Sequence, residues 1–367
     1  MVLTPIIYIL SLIFKGPVNT RVIKKMNGEE LAINFSSYYD FLLKSVFFIT
    51  TDGVELVGLE GDGESVSDPA FISNFLIQEM TLLPGRTVQE ANQQYLSKLS
   101  FLSDLAILGK FMLLGFFIRN YESESDSCEV LGVTFKNTTY PEVEKSLNSF
   151  ILTGIQKTVF FVNAHCLNVA FEHPEYKKII PSADLVLPDG MGLLMASRLK
   201  NYRMKENING TDLFPKILEL SQSKKFNLYF LGGTQEVNNN LISFVTSSYP
   251  GVNVVGGHHG HFDKKTHSKF IIEEINKLNV DILFVAFGVP MQEIWISEHK
   301  KYIKSNLILG VGGLFDFFSG KNKRSPQWLR ELGLEWVYRI YQEPKRMWKR
   351  YIVGNPKFLL RVVKSSK

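Results

Sequence analysis

Cysteine is nearly absent: Cys128 and Cys166 are the only two in 367 residues. Two thiols build neither a disulfide framework nor a zinc cluster, and such a chain fits a reducing compartment. Long apolar runs are missing as well. Residues 2–14, VLTPIIYILSLIF, are uncharged and apolar but only thirteen in number, short of the ~20 needed to span a bilayer. That length suits a re-entrant or interfacial segment, or a buried helix. No basic start and no small-residue cleavage site precede Lys15 and Gly16, which disfavours a signal peptide. Leu105–Ile118 is a second apolar stretch, also short and broken by Lys110. The chain carries no Walker A sequence and no G-x-G-x-x-G after the first strand of its second half, so a kinase or an ordinary dinucleotide enzyme is disfavoured. No D-x-D follows residue 128, and no internal repeat is visible.

What is present is a globular composition, 45% hydrophobic and 21% charged, long enough for two to three domains. The net charge of +5 is concentrated at one end: residues 321–367 hold 13 Lys/Arg against 3 Glu, a local net of +10. That excess calls for an anionic partner: membrane headgroups, phosphates or nucleic acid. A polar, acidic stretch at 121–128, beginning YESESDS, reads as a linker. It divides a first block, 1–120, from a region 129–320 and a basic appendage, 321–367.

From Glu129 onward, strands alternate with helices. Val130–Phe135, Thr158–Val162, Leu185–Leu187, Asn227–Leu231, Val252–Gly256, Ile282–Phe287 and Leu307–Val311 read as strands. Tyr140–Thr153, Ala164–His173, Met191–Lys200, Asp212–Gln222, a stretch ending near Ser248, His267–Leu278 and Gln292–Tyr302 read as helices. The expectation is an α/β, doubly wound, Rossmann-like and mostly parallel sheet. The first block reads as a smaller α+β domain.

Ligands in such sheets bind outside the carboxyl ends of the strands. Those ends here are Asn163, Asp189-Gly190-Met191-Gly192, Gly232-Gly233 and Gly312-Gly313, with the turn Gly288-Val289-Pro290-Met291-Gln292-Glu293 beside them. Their glycines and helix N-termini suit a diphosphate. Asp189 is then either a general base or a solvated turn residue. His258, His259, His261 and Asp263 form a cluster whose spacing is not a standard ligand pattern. A hydrogen-bonding or substrate-loop role is favoured over a metal site. In the appendage, Trp328, Leu329, Leu332, Leu334, Trp336, Val337 and Ile340 fall at helical spacings among Arg330, Arg339, Lys345, Arg346, Lys349 and Arg350. This basic amphipathic pattern fits a helical face packed on the core, or a membrane-surface helix that also clamps a pyrophosphate. No RNA-binding motif accompanies it.

Two family resemblances follow from ordered motifs. In the first block, Gly16-Pro17-Val18, Lys24 to Gly28, Leu56-Val57-Gly58, Leu83-Pro84-Gly85-Arg86-Thr87 and Tyr95 with Ser103-Asp104-Leu105 resemble the bacterial sugar transferases, monotopic phosphoglycosyl transferases. The family's K-F-R-S is replaced by Asn34-Phe35-Ser36-Ser37, and its Asp-Glu pair by Asp40-Phe41 or Phe41-Leu42. Without nucleophile or phosphate clamps, the resemblance implies a degenerate, membrane-docking module. Residues 129–361 resemble the TagA/CpsF/WecG glycosyltransferases. The matching stretches are Asn163-Ala164-His165, Ala183 to Gly192, Asn209-Gly210-Thr211-Asp212-Leu213, Phe230 to Gly233, His259 to Phe262, Phe287 to Trp295, Gly310 to Phe317, Lys323 to Pro326 and Leu332 to Arg346.

The second resemblance implies an inverting, metal-independent transfer in bacterial cell-surface polysaccharide synthesis. An N-acetylhexosamine, commonly N-acetylmannosamine, passes from a UDP-sugar to a polyprenyl-diphosphate-linked sugar at the inner leaflet of the membrane. No cofactor, metal or nucleic acid is implied, and a homo-oligomer is left open. Asp189 takes the place of the catalytic base. Asn163 and Gln292 match positions lining the substrate pocket, and the C-terminal arginines match an appendage that closes over the site. From their strand-end and motif positions Gly190, Gly192, Asp212, Gly232, Gly233, Glu293, Gly312 and Gly313 are read as further substrate-binding residues, with Arg324, Arg339 and Arg346 as the candidate cations. Phe161 stands where many members carry Thr, which bears on the donor sugar. The alternatives are a bifunctional protein that keeps phosphoglycosyl transferase activity and a non-catalytic scaffold of polysaccharide assembly.

Overall fold

The computed structural model describes residues 18–24, 30–36, 125–200, 202, 204–326, 329–330 and 334–365. The chain divides into two compact units, Met1–Tyr121 and Glu122–Lys367. In the first, β1 (Val18–Lys24) and β2 (Glu30–Ser36) form an antiparallel pair with Val18 opposite Ser36. The apolar segments at 2–14 and 105–118, and the sugar-transferase landmarks at 16–17, 25–28 and beyond residue 36, lie outside the described residues.

The second unit opens with β3 (Ser127–Val130) and β4 (Val133–Lys136), an antiparallel hairpin. The sequence reads as one strand over 130–135, and the structure corrects this. Leu131 and Gly132 both take positive φ, 55° and 75°, the conformation a tight two-residue hairpin turn needs. The apolar alternation hid the turn, because Val130 and Val133 on either side are both buried. Then comes α1 (Tyr140–Leu152), started by a Thr139/Glu142 capping box and burying Tyr140, Val143, Leu147 and Ile151 on one face.

The chain continues through β5 (Lys157–Val162), α2 (Ala164–Glu172), α3 (Pro174–Ile179), β6 (Leu185–Pro188), α4 (Met191–Leu199), α5 (Gly210–Lys224), β7 (Asn227–Gly232), α6 (Gln235–Ser248), β8 (Asn253–His258), α7 (Ser268–Lys277), β9 (Ile282–Ala286), α8 (Met291–His299) and β10 (Leu307–Gly310). The break between α2 and α3 falls at His173, the residue before Pro174, where helical backbone is disfavoured. Six strands make one parallel sheet in the order β6-β5-β10-β9-β7-β8.

Both faces of the sheet are covered, which is why its strands are apolar at successive positions. One face packs Phe161, Phe230, Phe284 and Leu309 under α1, α5 and α6. The Phe214 ring of α5 stands edge-on to Phe284 with centroids 5.3 Å apart. The other face packs Phe160, Tyr229, Leu283 and Ile308 under α7 and α8, with Trp295 at its centre. Each such side chain contributes about 1.5–3 kcal/mol by leaving water.

The last part runs through α9 (Leu314–Phe318), α10 (Glu335–Gln342), α11 (Pro344–Trp348), a π turn at Lys349–Val353 and α12 (Gly354–Ser365). α12 lies on α2 and α4, with Phe358 and Val362 fully buried. Arg361 donates to Asn168 Oδ1 at 2.8 Å and pairs with Glu172 at 2.7 Å, where Lys357 joins it. These two cations hold the Glu172 carboxyl down at about 2. Of the amphipathic pattern read in the sequence, Leu329, Leu334, Trp336 and Ile340 are half-buried and Val337 is exposed, while Trp328 and Leu332 lie outside the described residues. Further exposed apolar side chains follow at Tyr341, Trp348, Ile352, Val353, Leu360 and Val363.

Candidate active site

Asn163 and Asp189 sit side by side because β5 and β6 are parallel neighbours that end together. The Asp189 amide donates to Val162 O at 2.7 Å. Asn163 caps α2, its Oδ1 accepting from the amides of His165 and Cys166 at 3.1 Å each. Its Nδ2 points to Asp189 Oδ2 at 3.4 Å. Burial raises the Asp189 pKa, Asn163, Arg350 and Arg339 oppose that rise, and Asp212 adds to it. The result is a carboxyl with more proton affinity than an ordinary Asp, held among cations. Gly190 follows at φ +91°, a left-handed turn, and its amide donates to Asn207 Oδ1. Gly192 serves packing: a Cβ there would lie 2.8 Å from Ala164 Cβ, so its absence lets α4 approach α2.

A buried tyrosine braces this turn from below. Tyr140 Oη donates to Asn207 O and accepts from the Asn209 amide, both at 3.1 Å. Asn209 caps α5 by accepting from the Asp212 amide, and its Nδ2 donates to Asp212 Oδ2, both at 2.7 Å. Asp212 then takes Arg324 as an ion-pair partner, with Arg330 at 3.9 Å. Asp212 therefore anchors the C-terminal segment beside the crevice. Phe161 lies beneath: a Cβ at Gly210 would meet its ring at 3.7 Å. Its side chain, 8% exposed, forms floor and offers no polar contact.

Across the sheet, Gly232 permits β7 to touch β9, since a Cβ would fall 2.5 Å from Ala286 O. Gly233 O accepts from the Gly260 amide at 2.7 Å and contacts His261 Nδ1 at 3.0 Å. His258 and His259 are engaged locally, His258 Nδ1 with His259 O at 2.7 Å and His259 Nδ1 with the His261 amide at 3.1 Å. Among the described residues no group of His, Cys, Asp and Glu is placed to hold a metal ion. Gln292 ties two strand ends together. Its Oε1 accepts from the Gly312 amide at 2.9 Å and the Gly288 amide at 3.2 Å, and its Nε2 donates to Glu293 Oε1 at 2.8 Å. Gln292 and Glu293 are 2% and 0% exposed. Glu293 therefore lies behind the crevice wall and reaches a ligand only through Gln292. Arg339 Nη2 lies 3.2 Å from where a Cβ on Gly313 would be.

The cations come from the C-terminal segment. Arg324 and Arg339 both border the crevice, and Arg339 stacks over Phe317 at 4.9 Å. Its other guanidinium nitrogen, Nη1, donates to Tyr351 Oη at 3.5 Å. Arg346 instead pairs with Glu343 and is 56% exposed. Two further residues of this segment, not chosen as site residues from the sequence, act here. Arg350, carried on the π turn, acts on Asp189, His165 and Cys166. Burial and this guanidinium push His165 down to about 4. Glu335, at the start of α10, has its pKa raised by burial while Arg324 and Arg339 offset the rise. Neither stood out among the helical charges; the π turn has no sequence mark. The Nε atoms of Arg324, Arg330 and Arg350 are buried without a protein partner. Such donors suit phosphate oxygens.

Comparison with known proteins adds to this geometry. The family model described as Glycosyl transferase WecG/TagA/CpsF family matches residues 128–367. An N-acetylglucosaminyldiphosphoundecaprenol N-acetyl-beta-D-mannosaminyltransferase of Bacillus subtilis (strain 168) is 34% identical over 235 residues, 62% of this chain and 90% of that protein. The protein of the same name from Bacillus spizizenii is 32% identical over 232 residues, 63% of this chain and 84% of its own. One from Staphylococcus aureus (strain MRSA252) is 28% identical over 247 residues, 67% of this chain and 95% of its own.

Proposed function

Since the chain belongs to the glycosyl transferase WecG/TagA/CpsF family, we propose that it transfers an N-acetylhexosamine of the N-acetylmannosamine kind from a UDP-sugar to polyprenyl-diphosphate-linked N-acetylglucosamine, with inversion at C1. The acceptor and the sugar are those in the names of its relatives. The observation that carries the reading is Asp189: a strand-end carboxyl of raised pKa beside Asn163, facing guanidinium groups across the crevice.

In this reading, Asp189 accepts the proton of the acceptor hydroxyl as its oxygen bonds to C1 of the donor. The bond from C1 to the β-phosphate oxygen breaks, and UDP leaves with that electron pair. Arg324, Arg339 and Arg350 stabilise the charge developing on the diphosphate. Asn163 keeps the carboxylate turned toward the hydroxyl. Phe161 shapes the floor and makes donor choice a matter of fit.

The lipid-linked acceptor requires a membrane surface. Among the described residues, no helix is long and apolar enough to cross a membrane. The exposed Trp348, Ile352, Val353 and Leu360 lie along a segment rich in Lys and Arg, a combination suited to the anionic inner leaflet. Residues 1–120 would act there as a docking module. The test is transfer from UDP-N-acetylmannosamine to a synthetic polyprenyl-diphosphate N-acetylglucosamine, followed by mass spectrometry beside other UDP-sugars. A disaccharide product on the lipid supports the reading. No product from any UDP-sugar contradicts it.

A further inference from the structure

Glu293 presents a problem that the transfer chemistry does not explain. It is fully buried, in α8, with one carboxyl oxygen accepting from Gln292 Nε2 at 2.8 Å and the other, Oε2, without any partner. An ionised carboxylate in that position would be an unpaired buried charge, among the costliest arrangements in a protein interior. The titratable groups that face it are Cys166 from α2 and Tyr176 from α3. Burial pushes the Cys166 thiol up to about 12 and the Tyr176 phenol upward, so neither carries charge at neutral pH. Arg350 and Asp189 act on Cys166; no cation is among the groups acting on Glu293. The Tyr176 hydroxyl is buried at the same place, with only a weak contact to the Cys166 thiol.

We propose that Glu293 is a positioning residue that works as a neutral carboxylic acid, fixing the Gln292 amide so that its oxygen clamps the Gly288 and Gly312 turns. Only one orientation of that amide satisfies all three contacts. Oε1 must face the two backbone N–H groups, and Nε2 must face an acceptor. Glu293 supplies that acceptor without adding negative charge beside a site built for a diphosphate. A proton on Oε2 removes the charge that this unpartnered oxygen would otherwise share. Loss of that proton leaves the charge unpaired. Conformations that bring water to the carboxylate then gain, and because Gln292 is the adjacent residue, they draw its amide off the two turns. Burial raises the carboxyl to about 7, so the change falls near neutral pH.

The role rests on the proposed transfer reaction only for its kinetic consequence. The first arm therefore needs no substrate: the full chain labelled with glutamate carrying carbon-13 in the side-chain carboxyl, titrated by NMR. One carboxyl signal moving near pH 7, absent from Glu293→Gln, is expected. A Glu293 signal that titrates in the ordinary glutamate range overturns the proposal. The second arm is the pH profile of kcat/KM. Wild type loses activity about tenfold per pH unit above the transition. Glu293→Gln, which keeps the acceptor and cannot ionise, retains near wild-type activity with that limb gone. Glu293→Met, which lacks the acceptor, is impaired at every pH and also lacks the limb. An unchanged limb in Glu293→Gln, or loss of its activity at all pH values in a folded protein, refutes the assignment. A failed transfer assay with a confirmed NMR titration would locate the error in the reaction.

Discussion

At the scale of single residues, the site depends on groups that hold Asp189 as much as on Asp189. Arg350 lowers the proton affinity of that carboxyl against the effect of burial. Its removal therefore raises the pKa further, and in the proposed reaction Asp189 acts as base only when ionised. Arg350→Gln should move the acid limb of kcat/KM to higher pH and reduce kcat/KM about a hundredfold, on the scale of two or three kcal/mol for a lost charged contact. A limb that stays in place would remove Arg350 from the neighbourhood of the base. Tyr140 makes a different kind of contribution. Its hydroxyl satisfies Asn207 O and the Asn209 amide at once. Tyr140→Phe leaves both without that partner and should cost about 1–3 kcal/mol of stability in a urea melt. It should also lower kcat, since the same contacts support Gly190 and Asp212. Asp189 could be singled out from sequence because a carboxylate followed by glycines at a strand end is a local pattern. Tyr140, Asn207 and Arg350 could not. Each acts across long sequence separations, and in the sequence Tyr140 is only the first residue of an apolar helical face.

At the scale of elements, the parallel sheet was legible because most of its strands are apolar runs buried on both faces, several of them running into glycine-bearing turns. The β3–β4 hairpin was not, because Leu131 takes a positive φ that its side chain does not advertise. The C-terminal segment was legible as basic and amphipathic, but not in its division of labour. α12 docks on α2 and α4 through Phe358 and Val362, and the π turn that carries Arg350 immediately precedes it. Docking of α12 therefore sets the position of Arg350. Phe358→Ala should destabilise the protein by about 3–5 kcal/mol and reduce transfer more than the stability loss accounts for at temperatures where the chain stays folded. Leu360→Ala, at a position 62% exposed on the same helix, should alter stability by no more than about 0.5 kcal/mol. Equal effects of the two substitutions in thermal melts would contradict the docking role.

At the scale of the molecule, a rigid sheet presents strand-end groups on one side, and a basic segment brings cations to the same side. This division suits a reaction in which a carboxylate removes a proton while a diphosphate departs. In the proposed reaction the scaffold would supply the base and its orientation, while the C-terminal segment carries positive charge and an apolar outer face. The most direct test is the rate of sugar transfer from UDP-N-acetylmannosamine to polyprenyl-diphosphate N-acetylglucosamine, compared between wild type and Asp189→Asn under single-turnover conditions. The account predicts a fall of roughly 10²–10⁴-fold with donor binding largely kept. Transfer by Asp189→Asn at the wild-type rate would contradict it.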